Sequence, residues 1–487
     1  MLEAKYFLNA AFTISILVLI LSSILVFSSL HVFTPLEASV SPVQPSLILG
    51  CYTGSIPHSI TRANRGALVY TDFESTTGWN SNGGSWNLTT GYKGSGIQGT
   101  DNDGGLGGAS QYYYNSALNV ITGWVTVKTR LSNGTGWYGL AVLDQGRRAM
   151  YTVGINSSGY LTIYYYSREW LPLRDTSIPS YSFSSWYILV VSFSFTKKDA
   201  NITVYLYDVS GVLLASVSYS GKNYMKAIPA YYGINVDGVT AVFDDFMVST
   251  PTSDPRYNGD PRYIVFQGVP AGYSVSVYDT SGLLVNSTVS TGGDTLLGVV
   301  SDTVVGTGSG GGIIVSYPEG LPALNYTVPS TDALLGGDVY AVVAFGYPSC
   351  SLGANYTSAS VSARISSSSS MISGAILLKL SNNDVKPVYA RLILANYTAP
   401  STLTVNITLK SGSYEASPPI TISSGVVSSN MTGWIEIPSG SSIYLYAKGY
   451  FTASSQSATL NIYLEYCTMV SEGGACVYNP VEVTLTG

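Results

Sequence analysis

The sequence predicts an all-β protein, and three observations carry that reading. Short runs alternate apolar and polar residues with period two, as in Trp124-Val125-Thr126-Val127-Lys128-Thr129-Arg130-Leu131. The composition favours strands and turns, with 39 Tyr, 51 Gly and a high share of Ser and Thr in 487 residues. Beyond one apolar stretch at the N-terminus, no helical periodicity is evident. The length suits about three domains.

Charge excludes several functions. Only 10% of residues are charged, against the ~25% usual in soluble domains, so hydroxyls and amides supply the polar surface. A net charge of −6 with a pI near 5.0 leaves no basic face for nucleic acid. The two His residues, His31 and His58, are too few for a multi-His metal site, and a His-dependent triad is excluded with them.

Residues 1–33 read as a membrane anchor. Phe7 to Phe33 carries no charged side chain, and as a helix it would span ~40 Å, more than the ~30 Å hydrocarbon core. A cleaved signal peptide, with its site near Leu36-Glu37-Ala38, is the alternative, although such peptides carry a shorter apolar region. Lys5 precedes the stretch and the next basic residue is Arg62, which places residues 34–487 outside the cell or virion. Type IV pilins are similar in setting an apolar helix before a β domain. Their processing site has a small residue after a basic one, whereas Tyr6 follows Lys5 here. Residues 34–66 hold Pro35, Pro42, Pro45 and Pro57 with little periodicity, the pattern of an extended stalk.

Residues 67–251 hold about a dozen strand candidates, which imply a two-sheet sandwich. The order Asp72-Phe73-Glu74, Gly78-Trp79, Met150-Tyr151, Gly159-Tyr160-Leu161, Ser185-Trp186-Tyr187, Asp208 to Gly211 and Phe243-Asp244-Asp245-Phe246 resembles the concanavalin A-like, laminin-G-like jelly roll. Carbohydrate-binding modules with a different jelly roll share the Phe-Glu opening and Asp-Asp closing and are the alternative fold. The resemblance implies that opening and closing strands lie side by side. It also implies that Asp72, Glu74 and Asp245 hold a structural Ca²⁺, whose preferred ligands are oxygens. Asp101-Asn102-Asp103-Gly104-Gly105 is similar to part of a calcium loop but lacks the required Glu, and a surface turn fits it better. Glucanases of this fold class carry a Glu-x-Asp-x-(x)-Glu run for retaining hydrolysis, and none occurs here. Binding without catalysis is therefore expected. Trp137, Tyr138, Tyr164, Tyr166 and Trp170 are the candidate sugar-binding aromatics, with Arg147, Arg148 and Arg174 as donors. Filling of the sandwich core is the competing role for each ring.

Two further β units are expected, a small immunoglobulin-like module at 262–318 and a C-terminal sandwich at 325–487. Gly306 to Gly312 is too flexible for core and is no phosphate loop, since no Lys-Ser/Thr follows it. Four Cys allow three pairings. A Cys467–Cys476 bond would close a short loop, and a Cys51–Cys350 bond would tie the stalk to the third unit. Ten Asn-x-Ser/Thr sequons follow the anchor, at Asn87, Asn133, Asn156, Asn201, Asn286, Asn325, Asn355, Asn396, Asn406 and Asn430.

Together these features predict a non-catalytic, membrane-anchored surface glycoprotein of archaeal type. Its partner would be a glycan or another surface protein, bound through the laminin-G-like unit for adhesion. The alternative is a structural component of a virion, surface filament or cell coat that self-associates as a homo-oligomer. Tyr/Ser-rich, charge-poor anchored β proteins of this kind look similar to minor virion proteins of archaeal viruses. A glycoside hydrolase is the least favoured class.

Overall fold

The computed structural model describes residues 45–101, 109–251, 259–279, 282–298, 304–305, 312–328, 333–369, 372–469 and 475–487. The chain over these residues is β-strand and loop, with one 3₁₀ turn at Ala354–Tyr356. No helix among them is long and apolar enough to cross a membrane. The expected anchor, Phe7 to Phe33, lies outside the described residues, as do Asn102 to Gly108 and most of Gly306 to Gly312.

Two long strands, Thr122–Leu143 and Tyr231–Ser249, organise the first sandwich. Each passes from one sheet into the other. The bend falls where Gly134 (φ 107°) and Gly238 (φ 65°) take up left-handed backbone that a side chain would strain. Register shifts between Asp237 and Val239, and again between Thr240 and Ala241, mark the bulges that turn the strand.

The front sheet runs Trp79–Asn82, Ser110–Tyr114, the first part of Tyr231–Ser249, the second part of Thr122–Leu143, Ala149–Asn156, Tyr160–Tyr166 and Trp170–Ser177. The back sheet runs Ser85–Thr90, Ser95–Thr100, the other parts of the two long strands, Tyr187–Phe195, Asp199–Asp208 and Leu213–Lys222. The opening strand, Ala67–Thr71, pairs with Phe246 to Ser249, so the sandwich begins and ends at one place. Between the sheets lies a continuous core that includes Phe73, Tyr138, Tyr151, Phe195, Tyr232, Phe243 and Phe246.

The second body departs from the modular reading. Residues 34–66 are not a bare stalk: Leu47–Cys51 pairs with Ile372–Asn382, and Pro57–Asn64 pairs with Val339–Ala344. Pro57 sits at the first position of its strand, where a missing N–H is tolerated. Leu47, Leu49, Ile56 and Ile60 are buried and anchor these strands in the core.

Nor do residues 262–318 form a separate immunoglobulin-like module. Ser274–Tyr278, Leu284–Val289 and Gly312–Ser316 continue through Pro322–Tyr326 into Ile372–Asn382, making one eleven-stranded sheet shared with the C-terminal unit. The opposing four-stranded sheet takes Tyr263–Val269 and Gly293–Gly298 from that segment, and Val339–Ala344 and Pro57–Asn64 from outside it. Across the interior, Tyr317 Oη donates to the Gly374 carbonyl at 2.8 Å, and Ile376 and Tyr446 share its core. A six-stranded sheet covers the other half of the long sheet and encloses the aliphatic core of the C-terminal unit.

The first sandwich is therefore an insertion between Pro57–Asn64 and Tyr263–Val269, which flank Val339–Ala344 in one sheet. Its two connections meet at Gly66 and Gly259. A Cβ on Gly66 would lie 2.6 Å from the Gly337 carbonyl oxygen, a close approach that only glycine allows. Arg262, ion-paired with Asp260 at 2.5 Å, lies over the rings of Trp124 (5.2 Å) and Tyr205 (4.4 Å) on the outer face of the back sheet. The back sheet thus faces the body beside this connection, and the front sheet faces away from it.

Cys51 pairs with Cys350 and Cys467 with Cys476, which selects one of the three possible pairings. Cys467 and Cys476 oppose each other on neighbouring antiparallel strands.

Candidate functional site

The outer face of the front sheet is set by strand alternation. Tyr138, Leu140 and Val142 enter the core, so Trp137, Gly139 and Ala141 of the same strand face outward. Likewise Ile234 and Val236 turn inward, while Gly233 and Asn235 turn outward beside Tyr113 and Gln111. The result is an aromatic and amide face with glycines between its side chains.

Four of the five expected aromatics meet there. Trp137 stacks on Tyr164 with ring centroids 5.0 Å apart and meets the edge of Trp170 at 5.5 Å, and Trp170 in turn meets Tyr166 at 5.3 Å. Tyr138 is not part of the group. As the neighbour of Trp137 on a strand it must point the other way, and it is fully buried in the core near Tyr181 and Tyr187. Trp170 and Asp175 lie on the edge strand Trp170–Ser177, and the bulge opposite Ile163 and Tyr164 adjusts its register.

A trough of about 520 Å³ runs across this face, lined by Asn82, Gln111, Asp144, Arg148, Tyr166 and Trp170 among others. Asp144 closes the hairpin at its mouth, accepting from the Arg148 backbone N–H at 2.9 Å and pairing with the Arg148 guanidinium at 2.9 Å. Arg147 stacks near Tyr231 (5.3 Å) and Tyr113 (6.0 Å). Arg174, the other expected donor, donates to the Leu173 carbonyl instead.

Two side chains of this face, Trp170 in the trough lining and Asn235 beside the lining residue Gln111, each have a polar atom without a partner among the described residues. The indole N–H of Trp170 is buried and unpaired. Asn235 is 1% exposed; its Oδ1 lies 2.6 Å from Thr152 Oγ1 and its Nδ2 has no partner. Thr152 Oγ1 also lies 2.8 Å from the Leu140 carbonyl, and one hydroxyl proton serves only one of these acceptors. Either assignment of the amide leaves Asn235 one polar atom short. Buried polar groups left unpaired cost about 1–3 kcal/mol, so both positions are unusual for a sheet face. Asn82, Gln111, Asp144 and Asn235 were absent from the sequence-based set. The Gly233-Ile234-Asn235-Val236 alternation carries the signal for Asn235, but it becomes legible only once the sheet's outer face is known.

The carboxylates assigned to calcium lie at the opening and closing strands and have protein partners. Asp245 accepts from Tyr70 Oη at 2.9 Å and pairs with Lys128 Nζ at 2.9 Å. Glu74 accepts the Ser95 N–H at 2.8 Å, which holds its carboxyl below the usual range, and Asp72 accepts the Glu74 N–H at 3.3 Å. These three do not converge. Among the described residues the one group of three His, Cys, Asp or Glu ligand atoms within 4.8 Å is Glu465, Cys467 and Cys476, and both of its sulfurs are in a disulfide. Lys128 thus supplies a cation at Asp245, and Asp72 and Glu74 each accept a backbone N–H.

Asp244, beside them, holds the Thr90–Ser95 hairpin. Its carboxylate accepts from the N–H groups of Tyr92 (2.7 Å) and Lys93 (3.2 Å). Burial, then the charge of Asp245, pushes its pKa up to about 7. Buried Asp338, paired with Arg62 at 2.9 Å, is likewise pushed up by burial to about 6. Both groups bind a proton more tightly folded than unfolded. Their stabilising contribution is complete below about pH 4 and is lost as the pH rises toward 6–7. The melting temperature should therefore be several degrees higher at pH 5 than at pH 8, and Asp244→Asn should shrink that difference. Differential scanning calorimetry at the two pH values tests this, and a melting temperature equal or lower at pH 5 would count against it.

No family model matches the chain, and no curated protein matches it. Among solved structures it is similar to lectin I-B4 from Griffonia simplicifolia in its metal-free form, at 12% identity over 37% of this chain and 98% of that one, with a TM-score of 0.28. It is also similar to the exoplasmic/lumenal domain of VIP36 bound to Ca²⁺ and Man3GlcNAc (10% identity, 37% and 86% covered, TM-score 0.27). A third is the Bauhinia forficata lectin in complex with GalNAc (12% identity, 40% and 99% covered, TM-score 0.27).

Proposed function

We propose that the protein is a non-catalytic surface glycoprotein that binds saccharide in the front-sheet trough of its inserted sandwich. One observation carries this reading. Trp137, Tyr164, Tyr166 and Trp170 form an aromatic wall beside the trough, whose lining includes the polar side chains of Asn82, Gln111 and Arg148. Sugars offer flat C–H faces to such rings and oxygens to such side chains. The lining supports binding without hydrolysis: among the described lining residues Asp144 is the one carboxylate and is paired with Arg148, whereas a glycosidase needs two carboxyls across the scissile bond. The expected N-terminal anchor would hold the body at a membrane, with the front sheet turned toward a partner surface.

Glycan-array screening of the full chain tests the proposal, with and without a chelator. Selective binding that survives the chelator is the expected result, since no group of metal ligands lines the trough among the described residues. Absence of binding to any glycan would overturn the saccharide reading and favour a protein partner or a coat component.

A further inference from the structure

Several sheets in this protein end on strands whose outer N–H and C=O groups are unpaired, and such edges recruit other chains unless guarded. Charged residues or proline guard many of them. Trp170–Ser177 carries Pro172, Arg174 and Asp175, Leu213–Lys222 carries Lys222, Gly293–Gly298 carries Asp294, and Ile435–Ile437 carries Glu436. None of these four strands contains a sequon.

Three other terminal strands have neither charge nor proline: Ser85–Thr90, Leu284–Val289 and Val426–Ser429. Among the described residues each pairs on one side only, with Ser95–Thr100, Ser274–Tyr278 and Ile420–Ser423 respectively. They are also apolar at exposed positions, including Leu88, Leu284, Val289 and Val426. Two hold a sequon within the strand, at Asn87 and Asn286, and the third is followed at once by Asn430. All three Asn are exposed. The other charge-free ends among the described residues are the four-residue Trp79–Asn82; Ala67–Thr71, which is bracketed by Arg65 and Asp72; Leu47–Cys51 and Ser349–Leu352, which the Cys51–Cys350 bond ties together; and the two-residue pair Val304–Val305 and Ala333–Leu334.

We propose that Asn87, Asn286 and Asn430 carry N-glycans that act as edge guards, preventing sheet-to-sheet association between copies of this chain. A glycan is bulky and hydrated, so it does sterically what Lys does by charge. In a chain with 10% charged residues, glycosylation is the guard that composition leaves available. By contrast, sequons on internal strands, such as Asn201, Asn325 and Asn406, have neighbours on both sides and no edge to protect.

The test uses the full chain made in a glycosylating secretory host. Intact-mass and peptide mapping should find glycan at all three positions. Sedimentation velocity should then show the Asn87→Gln, Asn286→Gln, Asn430→Gln triple variant shifting to species of at least twice the parent mass. A triple variant at Asn201, Asn325 and Asn406 removes as many sequons and should keep the parent mass. Asn→Lys at the three edge positions should restore the parent mass without glycan. Unmodified edge sites would overturn the proposal. So would an edge variant that keeps the parent's mass, or equal association of both Gln triples.

Discussion

Trp170→Ala is expected to weaken saccharide binding by the full chain at least tenfold. Trp170 bridges the aromatic group, meeting both Trp137 and Tyr166, and it lines the trough. Its removal takes away a stacking wall and a desolvated N–H together. Losses of this kind at the centre of a binding surface run to about 2 kcal/mol or more, and about 1.4 kcal/mol is a factor of ten. Tyr138→Phe is the matched control, because Tyr138 is one residue from Trp137 but lies on the core side of the sheet. It should leave affinity unchanged. Titration calorimetry with a glycan that binds the parent, after circular dichroism has shown both variants folded, decides the matter. Equal affinity in Trp170→Ala and parent would remove the trough as the site.

The second large effect concerns Cys51 and Cys350, which close a loop of 299 residues. In the chain-entropy account, a bond across so long a loop stabilises by roughly 5 kcal/mol, against roughly 3 kcal/mol for the nine-residue Cys467–Cys476 closure. Cys51→Ser with Cys350→Ser should therefore lower the body's melting transition by more than Cys467→Ser with Cys476→Ser does. The inserted sandwich should melt unchanged in both, because it has its own core and contains neither bond. Calorimetry resolves the two transitions. Equal destabilisation by the two pairs would show that local strand pairing, and not loop closure, sets their contribution.

Much of the first sandwich was legible in the chain because its strands are half-buried and alternate cleanly, as in Thr122–Leu143. The side-by-side opening and closing strands are what the resemblance to the concanavalin A-like jelly roll implies, and Ala67–Thr71 does pair with Phe246 to Ser249. Alternation could have excluded Tyr138 from the site, since Trp137 and Tyr138 are adjacent and must face opposite ways. Sequence could not reveal the trough's polar side. Gln111 and Asn235 come together through strands more than a hundred residues apart, which nothing local encodes. The second body was misread for a related reason. Leu47–Cys51 and Pro57–Asn64 are short strands set among prolines, and their partners lie close to three hundred residues away. A five-residue apolar alternation has no local mark that separates it from a linker.

The insertion also governs how the molecule carries tension. Pull on Ser46 and Gly487 and the load passes from Leu47–Cys51 into Ile372–Asn382, and through the Cys51–Cys350 bond into the strands beside it. The connections at Gly66 and Gly259 leave and re-enter the same small sheet, so the sandwich hangs beside the line of force like a bucket on a rope. A tug on a tethered copy would strain the body first, while the trough kept its shape.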